Sequence, residues 1–264
     1  MDFLNYTECY ETLSDKKRCL LDKLFLNTRG YFFLNMIYIV FWLRREILQG
    51  RYSNETWCDA CDFVRVIIEK CGGKIHVKGI NNINFVEGPV VFISNHMSTL
   101  ETFLLPAIIA PRKPITFIVK QSLLTYPAFG TIMRATNPIA VGRENPMDDF
   151  KVVMKEGVEI LNSGKSIIVF PQSTRGPEFN AKEFNSIGIK LAKKAGVPVI
   201  PLALKTDFWG NGKKIKDFGP ITRKNDVYFE FDKPIMKVEG TGKNEHSYIC
   251  DYIESRLNEW KQKI

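Results

Sequence analysis

The chain holds three histidines, His76, His96 and His246, so side chains suited to proton transfer near neutral pH are few. His96 lies in Ser94-Asn95-His96-Met97-Ser98-Thr99-Leu100-Glu101, after the apolar run Val90-Val91-Phe92-Ile93 and before Phe103-Leu104-Leu105. The first run reads as a buried strand and the second as a helix. The histidine thus sits where strand becomes helix, and a carboxylate follows five residues later in the first helical turn. That spacing lets Glu101 fold back toward the ring. A carboxylate holding one ring nitrogen leaves the other free as a general base. Ser98-x-x-Glu101 also fits a capping box, with Ser98 as N-cap and Glu101 at N3. The two readings are compatible, because an N3 side chain that folds back points toward the preceding loop. Ser98 and Thr99 are nucleophile types beside His96, but they read as helix-cap residues.

A second buried-strand run, Ile167-Ile168-Val169-Phe170-Pro171, precedes Gln172-Ser173-Thr174-Arg175-Gly176-Pro177. Four ordered blocks now resemble the 1-acyl-glycerol-3-phosphate acyltransferase (PlsC-like) family. They are Asn95-His96-x4-Glu101, a segment from Gly130 to Arg143, Phe170-Pro171-Gln172-Ser173-Thr174-Arg175, and Val197-Pro198-Val199-Ile200-Pro201. Lys120, ahead of Leu123, resembles the lysine of the family's K-x-x-L segment. The resemblance covers roughly residues 75 to 235. Two departures stand out: Glu101 replaces the usual aspartate, and Gln172-Ser173 replaces Glu-Gly. The first keeps the carboxylate. The second removes a charge and a flexible hinge, and bears on the choice of acceptor.

The resemblance implies an O-acyltransferase that moves a fatty acyl group from a thioester to the hydroxyl of a lysophospholipid. With 1-acyl-glycerol-3-phosphate as acceptor the product is phosphatidic acid. His96 is then the base and Glu101 its orienting carboxylate. Lys120, Arg143 and Arg175 are the phosphate-binding candidates: arginine offers a planar fork and lysine a mobile point charge. Gln172, Ser173 and Thr174 complete the substrate-binding set, with backbone N–H groups near them as oxyanion donors. Acyl-CoA or acyl-carrier protein serves as donor substrate, and no cofactor or metal is implied. Competing readings are transfer to an amino-acid lipid or glycolipid, hydrolysis of the thioester by the same dyad, and a non-catalytic membrane lipid-binding protein. The pairing of His96 with a carboxylate argues against the last.

At 264 residues, the chain suits one α/β domain plus a small appendage. Thirty-seven basic residues against 29 acidic give a net charge of +8, which suits an anionic surface or substrate. No helix-turn-helix, zinc-finger or RNP-like pattern supports nucleic acid as partner. Membrane phospholipids fit the same charge. The cysteines (9, 19, 58, 61, 71 and 250) show no framework spacing and read as reduced thiols. Cys58-Asp-Ala-Cys61 has no second pair and reads as a helix face. The first 28 residues lack the basic start and apolar core of a signal peptide.

Positioning falls to two regions. Residues 1–72 read as a helical membrane-anchoring region. Within it, 30–43 are apolar nearly all round and flanked by Arg29 and Arg44-Arg45. That run is shorter than a spanning helix, so it reads as monotopic, dipping into the cytoplasmic face of a membrane. It pairs as a helical hairpin with 54–71. Residues 73–264 read as the acyltransferase domain, with candidate strands at 75–77, 90–94, 115–119, 166–170, 199–203 and 227–231. Helices at 100–109, 147–161, 185–195 and 244–261 alternate with them. That order indicates an α/β fold, a mainly parallel sheet flanked by helices. His76 reads as a surface residue of an alternating strand and His246 as solvated. The loop Phe208-Trp209-Gly210-Asn211-Gly212-Lys213-Lys214 reads either as a hairpin or as a membrane or carrier contact.

Overall fold

The computed structural model describes residues 8–26, 28–172 and 174–262. In chain order its elements are β1 (Cys9–Glu11), α1 (Leu20–Leu24), α2 (Gly30–Leu48), α3 (Asn54–Lys70), β2 (Ile75–Lys78), α4 (Ile80–Phe85), β3 (Val91–Ser94) and α5 (Leu100–Ile109). β4 (Ile115–Lys120), α6 (Phe129–Ala135), β5 (Ile139–Val141), α7 (Pro146–Asn162) and β6 (Ser166–Val169) follow. α8 (Ile187–Ala195), β7 (Val199–Lys205), β8 (Val227–Phe231) and α9 (Lys243–Lys261) close the chain.

One eight-stranded sheet runs in the order β1-β2-β8-β7-β3-β6-β4-β5. The pairs β2–β8, β7–β3, β3–β6, β6–β4 and β4–β5 are parallel, while β1–β2 and β7–β8 are antiparallel. The parallel strands β3 (VFIS), β6 (SIIV) and β7 (VIPLALK) are buried at every position. They read as unbroken apolar runs because helices cover both faces of such a sheet. The approach is close: a Cβ on Gly188 of α8 would meet Ile93 Cδ1 at 2.8 Å. Helices following parallel strands leave the carboxyl ends of β3, β6, β4 and β5 at one edge, where ligands of such sheets gather.

The N-terminal region differs from its all-helical sequence reading. Cys9–Glu11 is a strand paired with β2. Buried Glu69 of α3 ties it down, accepting from Tyr10 OH, from Thr12 Oγ1 at 2.8 Å and from Arg65 Nη1 at 2.9 Å. α2 packs against α3, and α3 against α5. Trp57, Cys58, Cys61, Val64 and Ile68 of α3 are buried in the main core, and Cys58 and Cys61 are free thiols.

α2 has two faces. Phe32, Met36, Ile39 and Leu43 point inward, whereas Leu34, Ile37, Tyr38 and Phe41 are 45–60% exposed. The exposed residues recur at helical spacing, so they form one apolar stripe. Among the described residues no helix is long and apolar enough to cross a membrane.

Candidate active site

β3 ends at Ser94, and Asn95 carries its pairing one step further. The Asn95 side chain donates to Leu204 O at 2.8 Å and accepts from Leu204 N at 3.0 Å, like a peptide unit lent to β7. That bond fixes where the chain leaves the sheet, and so where His96 begins. The His96 main chain is held by the neighbouring β6 loop as well. Its N–H donates to Gln172 Oε1 at 2.6 Å, and its carbonyl accepts from Gly176 N at 3.1 Å. Gln172 thus acts through its amide oxygen on the histidine backbone.

The His96 ring lies flat on Phe170, with centroids 4.3 Å apart and planes at 13°. Its Nδ1 is 2.8 Å from Glu101 Oε1. Glu101 is fully buried. Its Oε1 also accepts from the amides of Met97 at 2.7 Å and Ser98 at 2.9 Å. Its Oε2 accepts from Thr206 Oγ1 at 2.6 Å and lies 3.0 Å from Ser98 Oγ. Dyad and cap therefore coexist on one carboxylate. The N-cap itself is Thr99 rather than Ser98, one residue later than the capping-box reading. Burial pushes the Glu101 carboxyl up, but the bond and charge of His96, with Thr206 and backbone donors, outweigh it and hold the group below its usual range. An anionic carboxylate only accepts, so Nδ1 carries a proton, and in the neutral ring Nε2 then holds the lone pair.

Thr99, next in the loop, meets Arg175. Arg175 Nη1 donates to Thr99 Oγ1 and, at 2.7 Å, to Asp217 Oδ1. Thr99 Oγ1 also donates to Asp217 at 2.7 Å. Lys216 Nζ reaches Thr174 Oγ1 at 2.6 Å. The structure thus brings together His96, Glu101, Gln172, Thr174 and Arg175. Ser173 lies outside the described residues. Lys120 and Arg143 stand on the same carboxyl edge, at the ends of β4 and just beyond β5, two and three strands from β3. Both are exposed. Arg143 adopts φ 65°, and the turn is closed by Asp149, which accepts from the amides of Gly142 and Arg143 at 2.9 Å.

Several expectations change. For the 208–214 loop the hairpin alternative holds, with Trp209 bridged to Ile221, and Phe208 and Trp209 face inward: they are 0% and 4% exposed, and Trp209 packs on Phe32, Phe33 and Phe103. His246 is half-buried against Phe184, so it is not simply solvated, and His76, partly exposed at the surface, stacks on Tyr228 between Glu11 and Asp226. Thr206 and Asp217 were not legible as site residues, for they arrive from 105 and 42 residues away from their partners. Thr206 follows the Val-Pro-Val-Ile-Pro strand directly, which was the available signal.

Comparison with known proteins bears on the family and the fold. An acyltransferase family model matches residues 74–205. A 1-acyl-sn-glycerol-3-phosphate acyltransferase of Pseudomonas aeruginosa is 34% identical over 215 residues, covering 81% of this chain and 78% of the relative. The chloroplastic 1-acyl-sn-glycerol-3-phosphate acyltransferase LPAT1 of Arabidopsis thaliana is 29% identical over 140 residues. That match covers 53% of this chain, which spans only 37% of the plant protein. The crystal structure of the 1-acyl-sn-glycerophosphate acyltransferase PlsC from Thermotoga maritima is similar in fold. Its TM-score is 0.65 at 22% identity, covering 88% of this chain and 93% of that one.

Proposed function

This chain belongs to the acyltransferase family, and we propose that it moves a fatty acyl group from a thioester to the free hydroxyl of 1-acyl-glycerol-3-phosphate, giving phosphatidic acid. The observation that carries this reading is the contact of His96 Nδ1 with the buried, donor-saturated Glu101 carboxylate, 2.8 Å long. In the proposed reaction Nε2 takes the acceptor's hydroxyl proton as its oxygen attacks the thioester carbonyl. The tetrahedral intermediate then expels the thiolate, which recovers the proton from the imidazolium. Glu101 fixes the tautomer and stabilises the transient positive charge. Such proton transfer contributes ~10²–10⁴-fold in rate. No acyl-enzyme is required, since the thioester is already activated.

Arg175 is assigned to the acceptor phosphate, supported by Thr174 and by Ser173, with Gln172 holding the histidine backbone. Lys120 and Arg143 extend the cationic edge toward the donor or the acceptor headgroup. The donor is acyl-CoA or acyl-carrier protein. The apolar stripe Leu34, Ile37, Tyr38 and Phe41 supports monotopic docking on the cytoplasmic face of a membrane, where the acceptor resides. The test is mass spectrometry of lipids formed by purified protein from acyl-CoA and mixed lysolipids. Phosphatidic acid as the main product is expected. Product from another lysolipid alone would reassign the acceptor, and free fatty acid alone would make the protein a thioesterase.

A further inference from the structure

A second basic and apolar surface stands beside the site. Between the bridged residues Trp209 and Ile221 the chain turns back on itself, with Gly210 N donating to Pro220 O at 2.9 Å and Gly212 N to Lys216 O at 3.0 Å. The turn presents Lys213-Lys214-Ile215-Lys216-Asp217-Phe218. The three lysines are exposed, and Ile215 and Phe218 are 60% and 49% exposed. Lysines flanking open apolar side chains match the boundary of an anionic bilayer, where headgroup phosphates lie over the first acyl carbons. Phe218 stacks on Phe33 at 5.2 Å, and Arg29 donates to its carbonyl at 2.6 Å. Leu34, the first residue of the exposed α2 stripe, follows Phe33 directly.

Asp217 is the one acidic residue of the turn, and it reaches the other way, to Arg175 and Thr99. Its carboxylate occupies a donor of the guanidinium that the proposed reaction assigns to a phosphate. The Asp217 side chain is 40% exposed against 18% for Arg175, and an ion pair open to water on its acidic side is weak enough to be exchanged.

We propose that the turn 213–218 is a lipid-contact surface for anionic bilayers, and that seating it draws Asp217 off Arg175 and frees the guanidinium for the acceptor's phosphate. Lys213 and Lys214 meet headgroups, Ile215 and Phe218 enter the boundary, and the ion pair is the latch between surface and site. The first part stands without an acceptor; the second rests on the reading of Arg175 given above.

Hydrogen exchange of the full chain tests the surface independently of activity. Amides 211–219 should exchange more slowly with phosphatidylglycerol vesicles than with phosphatidylcholine vesicles or none. Equal exchange in all three overturns the proposal. Activity then tests the latch, with acceptor presented either in phosphatidylglycerol vesicles or as a monodisperse short-chain form. Asp217→Asn should raise turnover of the monodisperse acceptor about fivefold, the size of a partly exposed ion pair, and so narrow its deficit against vesicles. Ile215→Ser should lower vesicle turnover and leave monodisperse turnover unchanged. Loss of activity on both forms by Asp217→Asn would make Asp217 a fixed support of Arg175, and would overturn the latch. A wrong acceptor assignment silences both activity arms, wild type included, and leaves the exchange result standing.

Discussion

Thr206 Oγ1 donates to Glu101 Oε2 at 2.6 Å, so the carboxylate that faces His96 is gripped from the far side by the end of β7. Around it stand an imidazole nitrogen, two amides and two hydroxyls. This bears on Glu101→Gln. A capping box ordinarily accepts glutamine at N3, and the Thr206 and Ser98 hydroxyls can turn to accept from its NH₂, but every hydrogen bond to the charged carboxylate is lost. The variant should lose most activity and also about 1.5–3 kcal/mol of stability, the size of a hydrogen bond to a charged group. Glu101→Asp should keep substantial activity, since the carboxylate is retained. Rates and melting temperatures of both variants check this; a fully active, stable Gln variant would remove Glu101 from the reaction.

Acid should unfold the protein through two buried carboxylates. Asp22 is pushed up by burial but held below its ordinary range by the bonds and charges of Arg223 and Arg18. Glu101 is held low by His96 and Thr206 despite its burial. A depressed folded value means the stabilisation is fully present above the unfolded value, near pH 4, and is lost as pH falls through the folded one. The melting temperature should therefore drop steeply below about pH 4. Asp22→Asn should flatten that acid limb while lowering stability at pH 7. A limb unchanged in Asp22→Asn would contradict the assignment.

Arg175→Ala should raise the acceptor KM more than the donor KM. The shift should be roughly tenfold to a hundredfold, the size of a lost charge-assisted hydrogen bond. Steady-state kinetics with each substrate varied separately measures it. A selective loss of donor affinity would place the coenzyme's phosphates at this arginine instead.

Membrane contact is better tested by surface substitution than by deleting the first 70 residues. That deletion would strip β1 from the sheet and the buried face of α3 from the core. Leu34→Ser, Ile37→Ser and Phe41→Ser together alter only the exposed stripe of α2. Each such side chain contributes roughly 1.5–3 kcal/mol when fully buried in an apolar phase. Vesicle binding by flotation should fall at least tenfold on that scale, with the melting temperature unchanged. Undiminished flotation would move the anchor elsewhere.

The architecture was legible where apolar runs are long. The six expected strands and the helices following them all exist: β3, β6 and β7 leave a continuous hydrophobic signature, and β2 and β8 an alternating one. β1 and β5, three residues each, are too short to show one. In the site, His96 and Glu101 were readable because both lie in a single turn. Asn95, Thr206 and Asp217 take their roles from strand order and from a loop returning across the sheet edge. Local spacing carries no record of that. Trp209, in a polar Gly-Asn-Gly-Lys-Lys setting, was left between a hairpin and a membrane or carrier contact. Only the packing of Phe32, Phe33 and Phe103 around it reveals a core residue.

The most direct test of the account is the turnover number of His96→Ala with an acyl thioester and 1-acyl-glycerol-3-phosphate, followed by thiol release and by phosphatidic acid formed. A loss of ~10²–10⁴-fold is expected, the usual contribution of a positioned general base, in a protein whose melting temperature stays close to that of the wild type. Turnover within a few-fold of wild type would contradict it.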